Sequence, residues 1–121
     1  MAKLKATPKN FEQALAVLGN RDSVRLGNNT FLERGRSYIA EQSGPLSIRL
    51  LNTEIVKFYP DGRVTLHTGG WRIVTTKDRI NEFISGRVYQ KNRRWFYVGH
   101  TPEGALDWEH PQEFAEGMEA A

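Results

Sequence analysis

Residues 58–80, FYPDGRVTLHTGGWRIVTTKDRI, run a hairpin turn, a Gly-Gly-Trp corner and a helix start in immediate succession. Pro60 presets the first turn position, and Gly62 accepts the positive φ that a three-residue hairpin loop demands. Setting Tyr59 opposite Arg63 places Phe58 across from Val64 and Val56 across from Leu66. Side chains alternate between the faces of a strand, so those four share one apolar face. Lys57, Tyr59, Arg63, Thr65 and His67 then share the other, basic and aromatic. Gly69-Gly70 must turn the chain sharply at Trp71. Beyond it Thr75 is placed to cap a helix over 76–85, with Asp78 in the reciprocal position three residues on. Ile80, Phe83 and Ile84 form its buried stripe, and Lys77, Arg79 and Glu82 its wet side. Gly86 closes it.

Working outward, short strands are expected at 30–35, 37–41, 46–51, 54–59, 63–67, 87–90 and 94–98. Asn28-Asn29 after Gly27 suits a turn with left-handed backbone angles, and Gly44-Pro45 marks another break. A second hairpin, Val88 to Val98, turns near Lys91-Asn92-Arg93 and carries Trp95, Phe96 and Tyr97. At the start, Thr7-Pro8 opens an amphipathic helix over 7–18 with Phe11, Ala14, Leu15 and Leu18 on its apolar side. Gly19-Asn20 ends that helix. After His100 the pattern dissolves, apart from a weak helical tendency over 111–120. The fold class is therefore α+β: a small twisted, mainly antiparallel β-sheet with an N-terminal helix and a second short helix near 76–85. A curled, barrel-like sheet is the alternative form.

A chain of 121 residues and 13.8 kDa accommodates one domain with a modest core. It holds no cysteine, which excludes disulfides and thiolate metal sites. No run of apolar residues approaches the length of a membrane span, so a cytoplasmic protein without membrane contact is expected. Charge is distributed unevenly. All 17 Lys and Arg lie at or before Arg94, while 6 of the 14 acids lie from Glu103 onward, leaving +9 up to Thr101 and −6 after it. The expected plan is a basic α+β domain over 1–101 followed by an acidic C-terminal tail over 102–121. That tail is expected to solubilise the chain, the alternatives being that it screens the basic face or contacts a different partner.

The stretches GNNTFL at 27–32, LSIRLLNTEIVKFYPDGRVTLHTGGWRIVTTKDRIN at 46–81 and VYQKNRRWFYV at 88–98 carry a further signal. They resemble a family of small uncharacterised proteins of tailed bacteriophages and prophages, marked by a GGWRxVTTKxRIN signature. The resemblance covers residues 24–98. Ile73 stands where that pattern has Thr, and His67 where Asn is usual. The resemblance implies a phage accessory protein acting in the bacterial cytoplasm on nucleic acid or on a host complex.

Candidate chemistry follows from residue type and spacing. His67, His100 and His110 lack metal-ligand spacing, no nucleophile motif such as G-x-S-x-G occurs, and no G-x-x-x-x-G-K-[ST] phosphate loop is present. The expectation is a protein that is not an enzyme and uses neither metal nor cofactor. The candidate binding set is Lys57, Tyr59, Arg63, His67, Trp71, Arg72, Lys77, Arg79, Lys91, Arg93, Arg94 and Trp95. Phosphates favour several Arg and Lys along one surface, and exposed aromatic rings stack on unpaired bases. The competing assignment makes Trp71 and Trp95 core residues and the charges an ordinary solvated face. The leading expectation is binding of nucleic acid, DNA or RNA, with low sequence specificity. The alternatives are an anti-CRISPR-like, protein-binding inhibitor of a host defence or regulatory complex, and a minor virion component.

Overall fold

The computed structural model describes residues 3–34 and 44–120. The first helix, α1 (Phe11–Leu18), starts later than the expected 7–18. Asn10 caps it: its Oδ1 accepts the Gln13 N–H at 2.8 Å, and Gln13 Oε1 accepts the Lys9 N–H at 2.9 Å. Asn followed by Gln three residues on outcompetes Thr7, because two free amides are satisfied together. Gly19, at φ 62, ends the helix as expected. Ala14 and Leu18 are buried, but Leu15 is partly exposed rather than part of the buried stripe.

Strands β1 (Ser23–Gly27), β2 (Thr30–Arg34), β3 (Leu46–Leu50), β4 (Thr53–Phe58) and β5 (Val64–Leu66) form an antiparallel meander. Of these, β1 was not among the expected strands, and the expected strand 37–41 lies outside the described residues. The first hairpin has the register read from its turn: Val56 faces Leu66, Lys57 faces Thr65 and Phe58 faces Val64. Gly62 sits at φ 96, and the Tyr59 N–H donates to the Arg63 carbonyl at 2.9 Å. Asn29 is left-handed at φ 54, as its turn requires.

Helix α2 (Val74–Asn81) begins earlier and ends earlier than the expected 76–85. Ile73, not Thr75, takes the N-cap position, and no side chain caps it. The corner before it sets this start: Gly69 and Gly70 adopt φ 62 and 88, and the Trp71 N–H closes onto the Thr68 carbonyl at 3.0 Å. The last turn then tightens, with Glu82 and Phe83 N–H groups reaching back three residues. Phe83 and Ile84 follow the helix but are buried as expected, and Ile80 is fully buried.

The second sheet is β6 (Arg87–Lys91), β7 (Arg94–Val98) and β8 (Gln112–Glu113), with a final strand β9 (Met118–Glu119) returning to the edge of the first. The first sheet thus runs β1-β2-β3-β4-β5-β9 and remains open, so the barrel-like alternative is excluded. The strand registers align one apolar residue per strand across it: Val24, Leu32, Ile48, Val56, Leu66 and Met118. The middle four are fully buried. The helix α1 packs against β2 and β3, and α2 bridges β4 and β6. Asn81 fixes that bridge by donating to the Val88 carbonyl at 2.8 Å and accepting the Val88 N–H at 2.7 Å.

The helical tendency over 111–120 is not realised, and residues 102–120 do not form a separate tail. Phe114 is 3% exposed and packs edge-on against Trp95 at 5.6 Å, while β8 and β9 pair with both sheets. Two-residue strands have no periodicity of their own, so the pairing is set by the sheet edges they meet.

Candidate functional site

The twelve candidate residues separate into three groups with different surroundings. In the first hairpin, Arg63 is engaged locally. Its Nε lies 2.9 Å from Asp61, its N–H donates to Asp61 at 3.0 Å, and its guanidinium stands 4.5 Å over the Tyr59 ring. His67 is half-buried and contacts the Thr65 hydroxyl at 2.9 Å. Burial, then the nearby Lys57 charge, pushes its proton affinity below the ordinary histidine value, although Glu116 and Glu54 oppose the shift. At neutral pH it is therefore an uncharged ring, not a phosphate-binding cation.

At the corner, Trp71 is 66% exposed, so it is a surface residue. Beside it, Glu116 clasps the turn. Its carboxylate accepts the Thr68 N–H at 2.7 Å, the Thr68 hydroxyl at 2.6 Å and the Gly69 N–H at 3.1 Å. Arg72 stands 3.8 Å from the same carboxylate and 5.1 Å over the Phe114 ring. Burial raises the proton affinity of Glu116, but the bonds from Thr68 and Gly69 and the Arg72 charge outweigh it and hold the group below the usual glutamate range. Lys77 is half-exposed on α2. Arg79, expected on the wet side, is 4% exposed. The helix packs on two sides, between β4 and β6, so its amphipathic pattern understates how much of it is covered.

The second hairpin holds the third group. Its register pairs Lys91 with Arg94, leaving Asn92 and Arg93 as a two-residue loop at φ 53 and 66. That geometry belongs to a type I′ turn, whose twist matches the flanking strands. Lys91 and Arg93 are exposed and form no ion pair among the described residues. Arg94 is matched by Glu113 through two contacts, at 2.5 and 3.2 Å. Trp95 points inward at 3% exposure, so of the two candidate indoles one is core and one is surface.

The same register shows what the sequence reading overlooked. Alternation puts Arg87, Lys91, Arg94, the half-buried Tyr89 and Phe96 and the fully buried Val98 on one face, opposite the buried Val88, Trp95 and Tyr97 and the exposed Gln90. Tyr89 and Phe96 stack with ring centroids 5.6 Å apart and planes at 26°. Trp108, 54% exposed, meets Tyr89 edge-on at 5.4 Å, and Arg94 stands 5.6 Å from the Phe96 centroid. Three aromatic rings therefore form a row beside the cationic hairpin tip. The alternation around Trp95 could have identified Phe96 and Tyr89. Nothing local could have brought Trp108 to them.

The structure thus brings Lys91, Arg93 and Arg94 together and separates them from Lys57, Tyr59, Arg63 and His67 on the first hairpin. Arg72 links the corner to the second hairpin electrostatically: after Arg94, its charge also holds the Glu113 carboxyl below its ordinary range. From the acidic end, Glu113 pairs with Arg94 and Glu116 with Arg72. Among the described residues no group of His, Asp and Glu is gathered as metal ligands would be, and no helix is long and apolar enough to cross a membrane. No curated protein and no solved structure matches the chain. A family model does, over residues 7–121, and so takes in the N-terminal helix and the acidic end that the motif resemblance left outside. The chain belongs to the Kyanoviridae Gp96 protein family, and so to a family of phage proteins.

Proposed function

We propose that the protein is a non-enzymatic phage accessory module that binds single-stranded nucleic acid with low sequence specificity in the cytoplasm of the infected host. The observation that carries the reading is the outer face of the second sheet. There Tyr89, Phe96 and Trp108 form a contiguous aromatic row flanked by Arg87, Lys91, Arg93 and Arg94. Bases stack on exposed rings regardless of identity, at about 1–3 kcal/mol per base, and cations along the row neutralise the backbone. A three-stranded face suits an unpaired strand. The eight-residue α2 has Arg79 buried and Lys77 half-covered, which disfavours reading a major groove.

The magnitude is modest. Arg94 is already matched by Glu113, so three to four phosphate contacts are available at most. Affinity for a single strand should then fall about 20- to 50-fold between roughly 50 and 200 mM salt. Fluorescence anisotropy with single- and double-stranded probes tests this, together with Phe96→Ala and a Lys91→Ala, Arg93→Ala pair. The stacking variant should weaken binding at every salt concentration, while the paired variant should flatten the salt slope. Absence of binding at low salt refutes the reading and moves the assignment to a protein-binding inhibitor.

A further inference from the structure

A pocket of about 430 Å³ lies between the β1–β2 turn, the β3–β4 turn and the start of α2. Among the described residues its lining includes one cation, Arg79, and no carboxylate. Arg79 is 4% exposed, its Nε has no hydrogen-bond partner, and it forms no ion pair among the described residues. Arg79 also lines a second recess, with Lys3, Lys5 and Glu82, and among the described residues Glu82 forms no ion pair with it. A buried guanidinium normally has its N–H groups matched, because desolvating the charge is costly unless an anion offsets it.

The surroundings favour such an anion. Thr75 and Thr76 precede Arg79 by one helical turn and line the same pocket. Long side chains on a helix lean toward its N-terminus, which favours the first turn of α2 for Arg79, and Arg79 lines this pocket together with that turn. No side chain caps that turn, and its leading N–H groups have no intrahelical partners. The rim is apolar: Trp71, Leu51 and Ile73 are 66%, 58% and 54% exposed. Leu51 holds a left-handed backbone at φ 55 in the two-residue turn between β3 and β4, and its N–H donates to the Asn29 carbonyl at 2.8 Å, joining the two turns that wall the pocket. Asn29 and Asn52 add amide donors and acceptors on the opposite wall.

We propose that this pocket binds a small organic oxyanion, with a phosphate or carboxylate held by Arg79 and the first-turn amides of α2, and a flat body stacked on Trp71. The pocket residues are not those of the Tyr89–Phe96–Trp108 face, so the proposal stands apart from strand binding. The experiment is isothermal titration with uridine and adenosine monophosphates, their neutral nucleosides, and benzoate. It is run on the full chain and on Arg79→Gln, Arg79→Lys and Trp71→Ala, with circular dichroism to confirm folding. A saturable affinity of about 1 mM or tighter is expected for a monophosphate or for benzoate, whichever binds identifying phosphate or carboxylate as the source. Trp71→Ala and a folded Arg79→Gln should each weaken it about tenfold, and Arg79→Lys should restore only part, because the planar fork is lost. If an Arg79 variant does not fold, the comparison of charged with neutral ligands and the exposed Trp71 variant decide. Equal affinity for nucleoside and monophosphate overturns the proposal. So does no saturation by any anion at about 10 mM, or binding indifferent to Trp71.

Discussion

Replacing Glu116 with Ala should cost stability out of proportion to its exposed position. The carboxylate is 42% exposed, yet it receives the N–H and hydroxyl of Thr68, a residue with no accessible surface, and the N–H of Gly69. Removing it strands two buried donors on Thr68, at about 1–3 kcal/mol each. Water can enter from the side Glu116 vacates, so the low end of that range applies, about 2–3 kcal/mol in total. The ion pair with Arg72 is exposed on both sides and adds next to nothing. For a chain of this size the loss corresponds to a fall in Tm of roughly 10 °C. Urea denaturation followed by near-ultraviolet circular dichroism measures it. Glu116→Gln, which keeps an acceptor, should fall between Glu116→Ala and the parent, and Glu103→Ala, exposed and without an ion pair among the described residues, should stay within about 0.5 kcal/mol of the parent. A Glu116→Ala protein as stable as the Glu103→Ala control would refute the clasp.

Arg93→Gly relieves a left-handed residue at φ 66, so it should leave stability unchanged or raise it by up to about 1 kcal/mol. The same variant should flatten the salt dependence of strand binding by about 0.7 in the logarithmic slope; loss of stability without loss of binding would contradict both assignments. Gly86→Ala should destabilise by about 1–3 kcal/mol in the same denaturation assay, because an added Cβ would stand 2.5 Å from the Val98 carbonyl oxygen. Acid should loosen the fold through Glu116. Its folded proton affinity lies below its unfolded one, so its contribution is present above the ordinary glutamate range and disappears as pH falls through the folded value. Stability measured from pH 6 downward should therefore decline below about pH 4.5 in the parent and less steeply in Glu116→Gln.

How much of this was readable in the chain depended on the range of the interaction. The Pro60-Asp61-Gly62 loop specified its register completely, because turn geometry and alternation are local. In the second hairpin, alternation sets Trp95 and Phe96 on opposite faces without saying which is inner, so Trp95 stood among the candidate binding residues although it is 3% exposed. The start of α2 was missed because the Gly69-Gly70 corner, rather than a capping side chain, determines where the helix begins. Arg79 was misplaced because helical periodicity records one buried side, and α2 has two. The acidic end was the largest gap. Phe114 and Met118 are isolated apolar residues among carboxylates, and only their partners Trp95 and Leu66, distant in sequence, give them a place.

Photocross-linking of a 4-thiouridine-substituted single strand, mapped by mass spectrometry, tests the binding face most directly. Adducts are predicted on Tyr89, Phe96 and Trp108, with little on the first hairpin, where Arg63 and Tyr59 already satisfy one another. Adducts confined to the Tyr59–His67 hairpin, or none above background at low salt, would contradict the assignment of the second sheet as the strand-binding surface.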